Sequence, residues 1–216
     1  MKIKTIFFDF DGVIAESVNV KTEVFYQMYL PYGEEIAQKV KRHHLDNGGM
    51  SRFVKFRLYH KEFLNIELSD EGLAKLTQQF SNSVMQGVIN APLVSGILDF
   101  LKENYQKLNF FVITGTPTDE IREILKARNL EIYFEGAFGS PEKKDFWVQK
   151  IITENQYSTS ESIFIGDAFA DYDAANNNNI PFILREWEEN IELFQNIECY
   201  RIKNFQNFNQ FLDSLQ

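Results

Sequence analysis

The sequence predicts an α/β protein: a Rossmann-like, doubly wound parallel sheet core carrying an inserted α-helical cap domain. Three observations predict it. Short, nearly continuous apolar runs stand at Ile3–Phe8, Phe110–Ile113 and Ser162–Ile165, the pattern of strands buried on both faces of a parallel sheet. From residue 94 onward, helical stretches alternate with such runs, as right-handed crossovers between parallel strands require. Between the first run and the second, residues 17–90 read as helix almost throughout, far longer than a direct crossover.

Taken in order, the first strand is Ile3–Asp9. Helices Val18–Leu30, Glu34–His44, Arg52–Leu64 and Asp70–Ile89 fill the insertion, which is expected to have its own small core. This divides the chain into a sheet domain of residues 1–16 plus 91–216 and a helical domain of residues 17–90. Helix Val94–Lys107 leads to strand Asn109–Ile113 and helix Pro117–Arg128. A short strand near Ala137–Phe138, helix Pro141–Asn155, strand Ser162–Ile165 and a helix from Phe169 follow. Strand Pro181–Leu184 and one or two further elements complete the chain. Asn176–Asn179 reads as a helix end and turn, because Asn tolerates the left-handed conformation. Thr116-Pro117 and Ser140-Pro141 each read as an N-cap before a proline at the first helical position. Both helices would then aim N–H groups at the carboxyl edge of the sheet, where they favour phosphate.

Composition narrows the partners. The 216 residues are 44% hydrophobic and 25% charged, with 21 phenylalanines, as a globular protein with a sizeable core requires. The formal net charge of −9 argues against nucleic acid or an anionic membrane surface. A single cysteine, Cys199, has no partner for a disulfide and no zinc-site spacing, so packing on a late strand is its expected role. The apolar run after Lys4 is broken by Asp9 and Asp11, unlike a secretory signal. No stretch approaches the ~20 apolar residues that span a bilayer. A cytoplasmic location is expected, as a monomer or homodimer.

The ends of the apolar runs carry the chemistry. Asp9-Phe10-Asp11-Gly12-Val13 follows the first, Thr114-Gly115-Thr116 the second, and Gly166-Asp167 with Asp171 the third; Lys144 lies between the last two. Ligands of open α/β sheets bind beyond the carboxyl ends of the strands. Several carboxylates, a hydroxyl and one cation in such a crevice suit a phosphoryl group handled with a divalent metal. Asp9 and Asp11, two apart in an extended segment, project to the same side. A calcium loop would need further acidic ligands at fixed spacing, and none follow.

These segments carry a resemblance. Asp9-Phe-Asp-Gly-Val13 followed by Glu16-Ser17 resembles the first motif of haloacid dehalogenase-like hydrolases. Val112-Ile-Thr-Gly115 resembles their second, Gly139-Ser-Pro-Glu-Lys-Lys144 their third, and Phe164-Ile-Gly-Asp-Ala-Phe-Ala-Asp-Tyr-Asp-Ala-Ala175 their fourth, in the family's order. The resemblance implies that Asp9 is the nucleophile of an aspartyl-phosphate mechanism. It implies that Asp11 protonates the leaving oxygen and then deprotonates the attacking water. Thr114 and the backbone N–H groups of Gly12 and Gly115 would hold the transferring phosphoryl. The family's spacing selects Lys144 over Lys143 as the fixed positive charge.

The implied cofactor is Mg²⁺, on Asp9, the backbone carbonyl of Asp11, and Asp167. Asp171 would hold a metal-bound water or orient Lys144, and Asp173 is a weaker candidate. Gly48-Gly49-Met50-Ser51-Arg52 resembles the family's substrate-specificity loop, so Gly49, Arg52 and Lys55 are expected on the substrate. His43 and His44 are expected on a solvated helix surface.

The function so implied is a Mg²⁺-dependent phosphatase of a small phosphorylated metabolite. A phosphosugar mutase would use the same motifs, but such mutases typically carry Glu-Asp where this chain has Gly166-Asp167. Asp11 disfavours a dehalogenase or a phosphonate hydrolase, which do not place Asp there. A phospho-acceptor switch or binding module is the reading from another class, but receiver domains have no large helical insertion and place their acceptor Asp later in the chain.

Overall fold

The computed structural model describes residues 2–215. Its six-stranded sheet has the order β3-β2-β1-β4-β5-β6, and every neighbouring pair is parallel. The strands are β1 (Thr5–Phe8), β2 (Asn109–Pro117), β3 (Gly136–Ser140), β4 (Ser162–Gly166), β5 (Phe182–Arg185) and β6 (Tyr200–Ile202). β1 lies at the centre, flanked by β2 and β4, so the strand order reverses on either side of it. Such a switch point opens a crevice at the carboxyl ends of the strands.

Alternation along each strand feeds two cores. Ile6 and Phe8 face one side with Phe110, Val112, Ile163 and Ile165. Phe7 faces the other, stacked on Phe111 and Phe164 with ring centroids 5.6 and 6.3 Å apart. The first face is covered by α5 (Ile97–Asn104), α6 (Thr118–Ala127) and α9 (Phe208–Ser214), the second by α7 (Lys144–Asn155) and α8 (Phe169–Asn177). Cys199 packs half-buried beside β6 on the second core. Asn179 takes the left-handed conformation just past α8, at φ 53°.

The segment between β1 and β2 carries α1 (Val18–Tyr29), α2 (Glu34–Asp46), α3 (Arg52–Leu58) and α4 (Asp70–Asn90). Phe25, Phe56, Tyr59, Phe80 and Val84 are its buried centre. Two linkers join it to the sheet and pair with each other: Glu16 N–H donates to Pro92 O at 2.9 Å, and Val94 N–H to Ile14 O at 3.0 Å. Arg128, just past α6, donates to the carbonyls of Val88, Ile89 and Ala91 and ties the return linker to the sheet domain.

Several expected boundaries move. The helix expected over Arg52–Leu64 ends at Leu58, and a wider π-type turn follows over Tyr59–Phe63, with Tyr59 and His60 buried. The helix expected at Pro117 starts at Thr118 and the one expected at Pro141 starts at Lys144. Thr116 and Ser140 are therefore not N-caps. β2 and β3 extend to Pro117 and Ser140, which pair after a shift of register beyond Ile113, and the hydroxyls find other partners: Thr116 Oγ1 accepts from Lys21, and Ser140 donates to Gly115 O. Among the described residues no helix is long and apolar enough to cross a membrane.

Candidate active site

β1 ends by placing Asp9 at the floor of the crevice, where its N–H bonds Ile165 O of β4 at 2.9 Å. Its carboxylate accepts from Phe10 N–H at 2.7 Å and lies 3.0 Å from Lys144 Nζ. Lys144 opens α7, an end where the helix dipole disfavours a cation. Carboxylates hold it there: Asp9, and Asp171 at 2.6 Å. Lys143 beside it is exposed. β4 delivers Asp167, and α8 delivers Asp171, whose second oxygen accepts from the N–H groups of Asp167 and Ala168. Carboxylate oxygens of Asp9, Asp167 and Asp171 all lie within 4.8 Å of one another, and all three residues are buried. Asp173 is exposed.

These groups perturb one another. Burial raises the Asp9 carboxyl above its usual range despite Lys144. Burial, then the charges of Asp9 and Asp171, push Asp167 well up. Burial takes Asp171 to about 7, with Lys144 opposing. Burial alone would lower the Lys144 pKa, but Asp171 and Asp9 outweigh it and raise it above the usual lysine value. One lysine under-compensates three buried carboxylates, and hard oxygen donors so clustered fit a hard divalent cation.

Asp11 is held apart from that cluster. Ser17 sits at the N-cap position of α1 but donates its hydroxyl to Asp11 at 2.6 Å. Lys21 ion-pairs with the other oxygen and donates to Thr116 Oγ1 at 2.7 Å. Burial would raise the Asp11 carboxyl, but Lys21 and the hydrogen bonds outweigh it and hold it below its usual value. Gly12 has φ +78°, and a Cβ there would overlap the Asp167 carboxylate. Thr114 is buried, with its hydroxyl accepting from Thr116 N–H.

The insertion closes the crevice. A Cβ on Gly115 would lie 2.5 Å from Gly49 O, and one on Gly49 3.1 Å from Lys144 Nζ. The cavity left between them, about 70 Å³ and still partly open, is lined by Asp9, Asp11 and Thr114 together with Lys21, Arg52 and Lys55. Arg52 forms a fork with Glu120 of α6 at 2.6 and 2.8 Å and donates to Ser81 at 2.6 Å. Lys55 Nζ lies 2.9 Å from His44 Nδ1 and 3.3 Å from its carbonyl. His44 is therefore not on a solvated surface: it faces inward from α2, 8% exposed, against Lys55 and the Phe25 ring. His43 is half-buried against the Tyr59 hydroxyl.

Four neighbours of the site were not singled out from the sequence. Lys21 had a signal, since it stands four residues after Ser17 and so shares its helix face. Glu120 had only its place in the first turn of α6. Trp187 and Asn190 follow β5: the Trp187 indole N–H donates to Asp167 Oδ2 at 3.2 Å, and the Asn190 amide to Asp167 O at 2.9 Å. They follow a strand end, but nothing in their type marks them.

A sequence profile of the family described as haloacid dehalogenase-like hydrolase matches residues 6–185. None of the curated proteins matches by sequence. Among solved structures, a predicted phosphoglycolate phosphatase from Haemophilus somnus superposes with a TM-score of 0.75 at 17% identity, covering 98% of each chain. β-Phosphoglucomutase from Clostridium difficile gives 0.74 at 16% identity over 99% of this chain and 98% of that one. A Bacillus subtilis chain assigned as a HAD-hydrolase, bound to magnesium and described as revealing interdomain movement, gives 0.71 at 15% identity over 99% and 100%. At these identities the likeness is one of fold.

Proposed function

The chain belongs to the haloacid dehalogenase-like hydrolase family, and on that premise we propose that it is a Mg²⁺-dependent phosphatase of a small phosphorylated metabolite. One observation carries the reading: Asp9, Asp167 and Asp171 converge with Lys144 beneath the cavity that the insertion covers, while a second acid, Asp11, is held separately on its wall. A nucleophile and a proton carrier are thereby kept distinct.

Asp9 attacks phosphorus and the bond to the leaving oxygen breaks, giving an aspartyl-phosphate. Asp11 gives that oxygen a proton that it must gain while the insertion is open, since in the closed form Lys21 favours its carboxylate; it then takes one from the water that attacks phosphorus and frees Asp9. Lys21 and Ser17 orient the Asp11 carboxylate for both transfers. The Thr114 hydroxyl, the Gly115 N–H and Lys144 stabilise the equatorial oxygens, whereas the Gly12 N–H, expected there, is already given to Ala15 O at 2.7 Å. Asp9, Asp167 and the Asp11 carbonyl would hold Mg²⁺, with Asp171 fixing Lys144. When bound, the ion neutralises charge on the phosphoryl oxygens. Gly49, Arg52 and Lys55 form the wall facing the rest of the substrate.

The test is phosphate release from a panel of metabolite phosphates. Activity should require Mg²⁺, stop with EDTA and return on readdition. Asp9→Asn should fall to background with its fold intact, because Asn cannot form the acyl phosphate. Full activity in EDTA in a metal-free preparation, or an active Asp9→Asn, contradicts the proposal. A phosphosugar mutase would instead convert a sugar phosphate to its isomer with little free phosphate.

A further inference from the structure

The fork between Arg52 and Glu120 joins α3 of the insertion to the first turn of α6 in the sheet domain. It is deeply buried, with side chains 4% and 8% exposed. Ser81 closes the network, accepting from Arg52 and donating to Glu120 Oε2 at 2.7 Å. The Phe80 ring covers one face of the guanidinium at 4.7 Å. Arg52 borders the cavity, yet its charge is already answered.

The other cations of the site are answered too. Lys21 is opposed by Asp11, and Lys144 by Asp9 and Asp171, which leaves Asp167 with no cation of its own. Lys55 has no carboxylate partner, only His44, and burial takes its amine down to about 7. A divalent ion would add two positive charges, and a phosphoryl dianion would use them. A second anionic group on the substrate would find only the Lys55 amine without a carboxylate partner, and no free guanidinium fork to grip it.

We propose that Glu120 sets the substrate class: by claiming the Arg52 guanidinium, it withholds from the wall of the site the fork that would grip a second anionic group. The substrate is then a phosphate monoester whose remainder is uncharged and hydroxyl-bearing, and a bisphosphate or a phosphorylated carboxylate is disfavoured. This rests on the phosphatase reading above. Glu120 acts through Arg52 and is a specificity-determining residue, not part of the bond-breaking machinery.

The experiment compares two esters that differ only at the remote end, 2-hydroxyethyl phosphate and phosphoglycolate. Both are measured as kcat/KM with the full-length protein and Mg²⁺. The wild type should favour the neutral ester by roughly tenfold or more. Glu120→Gln keeps the shape and frees the guanidinium, so the ratio should move toward phosphoglycolate by about 10- to 100-fold, the value of a charge-assisted contact. The double variant Arg52→Met/Glu120→Leu removes both charges together, a change buried pairs often tolerate, and should keep the wild-type ratio. A wild type that prefers phosphoglycolate overturns the inference, as does a ratio unmoved by Glu120→Gln. Selective loss of phosphoglycolate turnover in the double variant does the same, since Arg52 would then be gripping the anion itself. Turnover of no phosphate ester by the wild type would overturn the phosphatase reading and the inference with it.

Discussion

Lys55 is a lysine whose surroundings oppose its charge: it is fully buried, and its amine contacts a neutral ring and a carbonyl. Burial, reinforced by the charge of Lys21, takes it to about 7. The folded protein therefore releases this proton near neutrality while the unfolded chain holds it to about 10.5. Between those values the unfolded state binds more protons, so this residue makes stability rise with pH from about 7 to about 10.5. Below about 7 the full penalty is present. Lys55→Met should accordingly stabilise the protein at and below pH 7, on the order of a few kcal/mol, with the gain fading by about pH 10.5. Urea unfolding of both proteins across pH measures it; a gain independent of pH would mean Lys55 is not charged against its surroundings. Trp187 gives a second residue-scale prediction. Its N–H orients Asp167, so Trp187→Phe, which keeps the ring and loses the donor, should weaken Mg²⁺ binding about tenfold. Calorimetric titration of the metal reads this directly, and unchanged affinity would reduce Trp187 to packing. Lys21 shows where such residues could have been found: Ser17 and Lys21 share a helix face, and only the fold brings that face to Asp11.

At the scale of elements, the decisive contact is the turn before α3 resting on the end of β2. Gly115 permits it, because a Cβ there would press on Gly49 O. Gly115→Ala should keep the melting temperature within a few degrees yet hold the insertion off the site, lowering kcat/KM by about 100-fold, as small misplacements in an active site do. Retained kcat/KM would mean that this close approach is not needed for turnover. The strands carrying the motifs were legible because β1, β2 and β4 are buried on both faces, so each carries an apolar run that stops just before Asp9, Thr114 or Gly166-Asp167, although β2 itself runs on to Pro117. The helix starts at Pro117 and Pro141 were not. A hydroxyl before proline reads as a cap only if the strand has already ended, and pairing between β2 and β3 carried both strands past that point. His44 was misplaced for a related reason: helix periodicity gives a buried stripe, but the stripe of α2 takes in a polar ring because Lys55 meets it from α3.

At the scale of the molecule, the two linkers pair beside the site, and Glu16 on the first is gripped by Arg185 at the end of β5. The insertion is held down farther out by Arg52 on Glu120 and Lys21 on Asp11. Opening would break both ion pairs while leaving the linkers anchored, so substrate entry is expected as a rotation about residues 14–17 and 91–94. Such closure would exclude water from the carboxylate cluster. The charged crevice was readable from the four motifs, but the ties across it were not, because they join residues far apart in sequence. All of this serves one claim, that Asp9 takes the phosphoryl group. The direct measurement is acid quench of the full-length protein within the first turnover of a phosphate ester with Mg²⁺, followed by peptide mapping. A phosphate adduct on Asp9, absent in EDTA and in Asp9→Asn, is the predicted result; phosphate release with no adduct, or an adduct on another residue, would contradict it.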